Sequence, residues 1–396
     1  MFRALRSRNY RLFFFGQVVS LCGTWIQSIA MGWLVLRLTN SPFYLGLVSA
    51  ASSVPVVILS FAGGVLADRA DRKKVVLAAQ VASMLLSALL AVLTLAGWVN
   101  VEQLLIIAVL SGCVNAFEAP ARQAFTIEMV GRDDLLNAIA LNSTIFNAAR
   151  TIGPALAGLL VASFGEGIAF GVNALSFVAV IVAISCIEVG ALHGQTRSTT
   201  GQGVRAAISY IMSVPTIRTL LSIAITVSFF GYSFLPLLPL IVRDVLHSDV
   251  RGLGWLSASN GVGALIAALS LAAFGDRWQR GNWLMVSLIG FPCALYFFSQ
   301  AENLSSAMIG VLMVGFFGVT AMALINTIIQ SIVSDQYRGR VMSVFTLSLM
   351  GLSPLGGLLA GTLAHSFGDV ATVIGLSAIL TALAVGVGLG QYRAIR

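Results

Sequence analysis

Long apolar stretches follow one another along the whole chain, separated by short breaks that carry charges or turn residues. A helix needs about 20 apolar residues to cross about 30 Å of hydrocarbon, and the stretches between the breaks reach about that length. They lie near residues 12–36, 43–67, 75–97, 103–126, 136–163, 168–189, 217–242, 252–274, 283–300, 304–332, 341–364 and 370–391. The pattern predicts an all-α membrane protein with twelve transmembrane helices.

The composition agrees with this pattern and excludes a large soluble domain. The 396 residues are 58% hydrophobic and only 10% charged, and their mean hydropathy is +0.94. About a quarter of the residues in an ordinary soluble domain are charged. The first apolar stretch is too long for a cleavable signal peptide, and we interpret it as the first span.

Basic residues lie mostly on alternate connectors, which predicts the orientation in the membrane. Lys and Arg near span ends are retained on the cytoplasmic side, and placing the N-terminus inside puts 19 of the 23 there. These are Arg3, Arg6, Arg8, Arg11, Arg69, Arg72, Lys73, Lys74, Arg122, Arg132, Arg197, Arg205, Arg218, Arg277, Arg280, Arg338, Arg340, Arg393 and Arg396. We therefore expect a multi-pass protein of the cell inner membrane with both termini in the cytoplasm. The distribution also explains the net charge of +8 without a nucleic-acid partner.

The two halves of the chain resemble each other. At an offset of 208, LGLVSAASSV from Leu45 aligns with LGWLSASNGV from Leu253, and at an offset of 203, GLLVASFG from Gly158 aligns with GTLAHSFG from Gly361. The sequence predicts an N-terminal six-helix half at 1–190, a cytoplasmic connector at 191–216 and a C-terminal six-helix half at 217–396. Within the connector, the Gly-, Ser- and Thr-rich stretch from His193 to Arg205 is expected to be a flexible joint. Halves of this kind enclose a substrate cavity near the membrane midplane.

The connector after the second predicted span reads GVLADRADRKK from Gly64. It resembles the loop signature GxLaDrxGrkr of the major facilitator superfamily, except that Asp71 replaces a usual glycine. The resemblance implies a conformational latch, in which Gly64 admits a close neighbouring helix, Asp68 meets a helix N-terminus and Arg72 joins Asp68 to Glu128. A solvated loop that serves topology alone is the alternative.

The fifth span contains NAARTIGPALAG from Asn147. It partly resembles the GxxxGPxxGG motif of antiporters in this superfamily, because Ala149 and Ala157 replace two glycines. Gly153, Pro154 and Gly158 would let the fifth and eighth spans pack closely. Such packing also occurs in proteins that are not antiporters.

The fourth span ends in NAFEAPARQAFTIE from Asn115. Together with the opening RNYRLFF and the segment AMGWLVLRLT, it resembles the drug and siderophore exporter branch that includes macrolide efflux proteins and the enterobactin exporter. The similarity runs through nearly the whole chain and is densest in its first half.

Two charged side chains lie inside predicted spans. Glu118 is about 13 Å from the cytoplasmic end of its span, at 1.5 Å per residue, and Arg150 is near the middle of the next span. An ionisable group at such a depth is a functional candidate, because burying it is costly unless it is paired or protonated. A structural pair of Glu118 with Arg122 or Arg150 and a role in proton coupling are both consistent with the sequence.

Further polar and aromatic side chains are candidates to line the substrate cavity. They are Trp25, Gln27, Asn142, Asn147, Phe229, Phe230, Tyr232, Asn260, Asn326 and Gln330. Each of them could instead serve helix packing or a hydrogen bond between helices.

These features favour a secondary transporter that exports a small amphipathic molecule, such as a drug or a siderophore, by alternating access with proton antiport. We expect a monomer that contacts membrane lipids and needs no cofactor or metal, because the sequence lacks a nucleotide-binding loop and metal-ligand spacing. The sequence shows no nucleophile constellation, so we do not expect an enzyme. The alternatives are an importer, a facilitator or a lipid transporter of the same fold, and a membrane receptor or scaffold.

Overall fold

The computed structural model describes residues 3–131, 133–188, 203–274 and 279–395, apart from the side chains at 203–207, 350, 389 and 391–395. Within these residues the secondary structure is helical, and eleven helices are long and apolar enough to cross a membrane. The first part of the predicted connector, residues 191–202, lies outside the described residues. The same holds for Gly275, Asp276 and Arg277, of which the last two align with Asp68 and Arg69 of the loop motif at the offset of 208.

The first four helices match the first four predicted spans. They are α1 at Arg8–Thr39, α2 at Pro42–Arg69, α3 at Arg72–Leu95 and α4 at Val101–Val130. Local hydrogen bonds determine where they begin. Before α4, the Asn100 side chain accepts from the Gln103 backbone N–H at 2.9 Å, and the Gln103 side chain accepts from the Asn100 N–H at 3.0 Å. This reciprocal capping satisfies two helix-terminal donors.

The next helix, α5, runs from Leu135 to Ser185 and contains both the fifth and the sixth predicted spans. Its 51 residues would extend about 77 Å if they were straight, more than twice the hydrocarbon thickness. Gly165, with φ 79° and ψ 171°, interrupts the helical backbone. Glycine reaches this conformation without steric cost, and the interruption divides the element into two membrane-length segments.

A short helix, α6, occupies Gly203–Ser213 in the second part of the predicted connector, where the sequence predicted no helix. Tyr210 explains how α6 is held, because its ring stacks on Tyr337 with centroids 4.4 Å apart. The Tyr210 hydroxyl also accepts a hydrogen bond from the backbone N–H of Ser334 at 3.2 Å.

The seventh span begins as a regular helix and then becomes irregular. It consists of α7 at Pro215–Thr226, a π-helical turn at Val227–Gly231, short helical turns at Leu235–Leu237 and Leu238–Leu240, and a second π-helical turn at Ile241–Val245. Pro236 and Pro239 lie in this irregular part, where each removes a backbone donor.

Five helices complete the chain: α8 at Val250–Phe274, α9 at Arg280–Ser299, α10 at Leu304–Ile332, α11 at Asp335–Phe367 and α12 at Val370–Ile395. Asp369 caps α12 by accepting hydrogen bonds from the Thr372 hydroxyl and from the N–H groups of Ala371 and Thr372. These hydrogen bonds hold the pKa of Asp369 below its usual value, and the bond from the Thr372 hydroxyl has the largest effect.

The chain divides into two compact units. The first comprises Met1–Asn40, Ala51–Thr196 and Asp249–Ala258, and the second comprises Ser41–Ala50, Arg197–Ser248 and Ser259–Arg396. In the first unit α5 packs mainly on α1 and α3, and in the second α9 packs on α10 and α12. The first unit thus includes residues 249–258, which the sequence assigns to the C-terminal half. The second unit includes residues 41–50, which the sequence assigns to the N-terminal half.

Candidate functional site

The loop motif forms a compact turn between α2 and α3. Asp71 lies just before α3, and its side chain accepts from the backbone N–H of Lys74 at 3.3 Å. Aspartate is a favoured residue at this helix-capping position. The replacement of the usual glycine therefore has a physical reason, because Asp71 stabilises the start of the next helix.

Arg72 and Glu128 form the pair that the motif predicts. Arg72 Nη1 lies 2.6 Å from Glu128 Oε1, and the two side chains are only 17% and 16% exposed. Arg72 Nε also donates to the carbonyl of Ala67 at 3.1 Å. The arginine thus joins the end of α2 to the end of α4 within the first unit.

The other two residues of the predicted latch are placed differently. Asp68 is exposed and has no hydrogen-bond or ion-pair partner among the described residues, so its contact with a helix N-terminus stays a prediction. A Cβ at Gly64 would meet no described atom within 4 Å, whereas one at Gly63 would lie 2.2 Å from the carbonyl oxygen of Ala116. The close approach of α2 to α4 therefore occurs at Gly63, one residue before the predicted position.

Glu118 lies inside α4 in a polar cluster with α3. Gln80 Nε2 donates to Glu118 Oε1 at 2.9 Å, and Arg122 Nε lies 3.5 Å from the same oxygen. The Glu118 side chain is 12% exposed. Gln80 is buried, and its Oε1 has no hydrogen-bond partner among the described residues. Of the two arginines predicted for Glu118, Arg122 lies within ion-pair distance and Arg150 is half-buried on α5.

The glycines of the fifth span make close helix contacts in the first unit. A Cβ at Gly153 would lie 2.5 Å from Trp25 Cβ on α1, and one at Gly158 would lie 2.9 Å from the Val250 carbonyl oxygen on α8. From the other side, a Cβ at Gly254 would lie 2.6 Å from the Pro154 carbonyl oxygen. Side-chain Cβ atoms do not approach so closely, so only glycine fits at these three positions.

The same arrangement recurs in the second unit at positions related by the sequence repeat. Gly356 abuts the backbone of Phe229, just as Gly153 abuts Trp25. A Cβ at Gly361 would lie 2.4 Å from the Pro42 carbonyl oxygen, and one at Gly46 would lie 2.6 Å from the Gly357 carbonyl oxygen. We call the contact of α5 with α8 and the contact of α2 with α11 the two glycine seams.

A buried polar cluster in the first unit involves one of the predicted cavity residues. Asn173, which is 1% exposed, donates through Nδ2 to Gln27 Oε1 at 2.7 Å and to Ser87 Oγ at 3.2 Å. The Ser176 hydroxyl lies 3.1 Å from Asn173 Oδ1. The sequence identified Gln27 but not Asn173. The available signal was an amide side chain within the apolar segment FGVNALSF.

The remaining cavity candidates lie in several separate places. The Trp25 ring is 6.0 Å from Phe146, Phe229 is 4.9 Å from Phe230, and Tyr232 is 5.3 Å from Phe291. Five amide side chains complete the set: Asn142 is exposed, Asn147 donates to the Ser143 carbonyl, Gln330 donates to Asn326, and Asn260 donates to the Val311 carbonyl. Among these hydrogen bonds of the five amides, only the Asn260 bond joins two helices.

A carboxylate that the sequence did not single out lies directly after the interruption in α5. Glu166 Oε1 is 3.1 Å from Arg37 Nε at the end of α1, and the Glu166 side chain is 9% exposed. A buried carboxylate is retained when it is paired. The signal that could have identified Glu166 was its position between Gly165 and Gly167, in the break between two predicted spans.

The eleven membrane-length helices among the described residues and the glycine seams repeated in the two units define the class of polytopic membrane proteins with closely packed helices. The described residues contain no group of three or more His, Cys, Asp or Glu side chains that could hold a metal ion. The model of the transmembrane secretion effector family matches residues 1–392. The chain belongs to this family, a branch of the major facilitator superfamily.

Individual proteins and structures agree with this assignment. The staphyloferrin A transporter of Staphylococcus aureus is 26% identical over 93% of each chain. The multidrug efflux pump Tap of Mycolicibacterium fortuitum is 27% identical, over 94% of this chain and 93% of its own. The crystal structure of nucleoside transporter NupG is 14% identical and superimposes with a TM-score of 0.73, covering 97% of this chain and 99% of that one. The predicted fold and the predicted exporter branch are confirmed.

Proposed function

We propose that this chain exports a small amphipathic molecule of the drug or siderophore type from the cytoplasm, by alternating access and in exchange for protons. The family match over residues 1–392 carries the proposal. It is supported by one relative named for multidrug efflux and another named for a siderophore. We propose no enzymatic activity and no resident cofactor.

Glu118 is the group that we propose for proton coupling. Gln80 can hydrogen-bond to Glu118 in both protonation states of the carboxyl group, because an amide carries donors and an acceptor. Its Nε2 donates to the carboxylate at 2.9 Å. After a rotation of the amide, its unpartnered Oε1 could accept from the protonated carboxyl. The Glu118 carboxyl group can therefore keep a hydrogen bond to Gln80 whether or not it carries a proton.

The pair Arg72–Glu128, together with Asp68, is the latch that we propose for the cytoplasmic side. The pair lies at the ends of α2 and α4 and holds them together at 2.6 Å. Asp68 is exposed beside it. A charge at a helix terminus contributes about 0.3–1 kcal/mol, which suffices to bias two conformations by severalfold without determining whether the protein folds.

An importer or facilitator remains the second candidate. The observation that favours it is the name of the staphyloferrin A relative, which specifies a transporter without a direction. A lipid transporter of the same fold is a further alternative. A receptor or scaffold is disfavoured because the predicted connectors leave no room for a signalling domain.

We further propose a monomer in the inner membrane with both termini in the cytoplasm. The test uses a variant in which Cys22, Cys113, Cys186 and Cys293 are replaced by serine and one new cysteine is added. An impermeant thiol reagent should label Asn303→Cys, before α10, from outside intact cells. It should label Ser198→Cys, which lies outside the described residues, only after the cells are opened. Labelling of both positions from one side would overturn this orientation.

The substrate class can be tested by thermal unfolding of the purified protein with siderophores, macrolides and nucleosides. A ligand at 100 times its Kd stabilises a protein by about 2.7 kcal/mol. We expect a siderophore or an amphipathic drug to raise the unfolding temperature. Stabilisation by nucleosides alone would contradict the proposed substrate class.

A further inference from the structure

A cleft opens within the second unit where α8 ends and α9 begins. The space that its walls outline is about 330 Å³ and includes open solvent, so the cleft is a partly open groove and not a closed cavity. Its lining consists of Ser270, Leu271, Phe274, Arg280, Trp283, Phe316, Thr320 and Leu324. None of these residues belongs to the predicted substrate cavity, the latch or the glycine seams, so the cleft shares no residue with the sites considered above.

The floor of the cleft is apolar. Leu324 and Thr320 are buried on α10, and the Thr320 hydroxyl donates to the Phe316 carbonyl oxygen at 2.7 Å. This hydroxyl therefore has its donor engaged within its own helix. Leucine and aromatic side chains form most of the remaining wall. Such a lining suits a hydrocarbon chain better than a polar ligand, whose groups would lose their hydrogen bonds to water there.

The mouth of the cleft carries a positive charge. Arg280 is the first residue of α9, is exposed, and has no ion-pair partner among the described residues. The sequence repeat aligns it with Arg72, which is neutralised by Glu128 at 2.6 Å. Trp283, about one turn further along α9, borders the same mouth. Arginine and tryptophan at helix ends are typical of the depth of lipid headgroups.

We propose that this cleft binds an anionic membrane phospholipid, with one acyl chain on the apolar floor and the phosphate against Arg280. Basic pockets between transmembrane helices on the cytoplasmic side bind anionic headgroups in this way. The predicted topology places the mouth at the cytoplasmic leaflet, which a phospholipid reaches directly from the bilayer. A soluble amphipathic anion would offer the same chemistry, and the experiment separates the two sources.

The test measures quenching of Trp283 fluorescence in nanodiscs by phospholipids that carry bromine on an acyl chain. The Trp283 signal is the difference between wild-type protein and Trp283→Phe. At equal mole fraction, brominated phosphatidylglycerol should quench this signal more strongly than brominated phosphatidylcholine. The two lipids should differ about fivefold in apparent affinity, the effect typical of one basic residue near the headgroups.

Arg280→Gln should remove the preference for phosphatidylglycerol, while Arg218→Gln, at an exposed arginine in the first turn of α7, should preserve it. Ser270→Leu narrows the cleft without changing its charge and should weaken quenching by both lipids. Equal quenching by both lipids in the wild-type protein would overturn the proposal. Displacement of phosphatidylglycerol by a soluble brominated fatty acid at equal concentration would also overturn it, in favour of a free amphipathic anion.

Discussion

Glu118→Gln is expected to abolish the release of protons that accompanies substrate binding, while the Kd for substrate changes by no more than about tenfold. The neutral amide mimics a protonated carboxyl group and can still hydrogen-bond to Gln80, but it cannot titrate. Proton release can be measured with a pH indicator when substrate is added to purified protein in weak buffer. Exchange of labelled for unlabelled substrate across liposomes should persist in the variant, because exchange needs no net proton movement.

Glu102→Gln is the matched control for this substitution. Glu102 lies in the first turn of the same helix and is exposed, so its replacement should leave proton release unchanged. If Glu118→Gln released as many protons as the wild-type protein, Glu118 would be a structural partner of Gln80 and Arg122 rather than the coupling group.

Gly46→Ala and Gly254→Ala are each expected to reduce transport strongly while substrate binding persists. These glycines occupy equivalent positions in the repeat, one in each glycine seam. Each new Cβ would lie 2.6 Å from a backbone carbonyl oxygen, which cannot rotate away as a side chain can. Overpacking of this kind costs typically about 1–3 kcal/mol. The conformation with packed seams should therefore lose about fivefold to 150-fold in population.

Spin labels at the outer ends of α2 and α11 provide the measurement for the glycine seams, since their distance distribution should shift to longer values in Gly46→Ala. Gly386→Ala is the control, because a Cβ at Gly386 meets no described atom within 4 Å. An unchanged distribution together with normal transport would show that the seams do not separate during the cycle.

Most of the helices could be predicted because the hydrophobic pattern of a membrane span is long and rarely interrupted. The tenth predicted span, at 304–332, has the same bounds as α10 at Leu304–Ile332. The predicted break between the fifth and sixth spans, at 163–168, corresponds to one residue of α5, since only Gly165 departs from helical geometry there. Helix α6 was not predicted because its Gly- and Ser-rich approach is typical of a flexible connector.

The charged residues of the site could be predicted because charged side chains are rare in this sequence and therefore stand out. Arg72 and Glu128 were identified as partners from a spaced motif and a rare carboxylate, and they lie 2.6 Å apart. Gln80 and Asn173 were missed because an uncharged amide in an apolar span is a weak signal until its neighbours on other helices are known. The position of Gly63 was missed by one residue, since the sequence shows two adjacent glycines and only the rotation of α2 decides which one faces α4.

Transport by purified protein in liposomes tests the proposal of proton-driven export most directly. With the lumen more acidic than the outside, an antiporter should move substrate inward against its gradient, whichever way the protein is inserted. For one-to-one exchange with a neutral substrate, one pH unit should support about tenfold accumulation, which a protonophore should collapse. Accumulation driven instead by an acidic exterior, or equal uptake with no pH gradient, would contradict proton antiport and favour an importer or a facilitator.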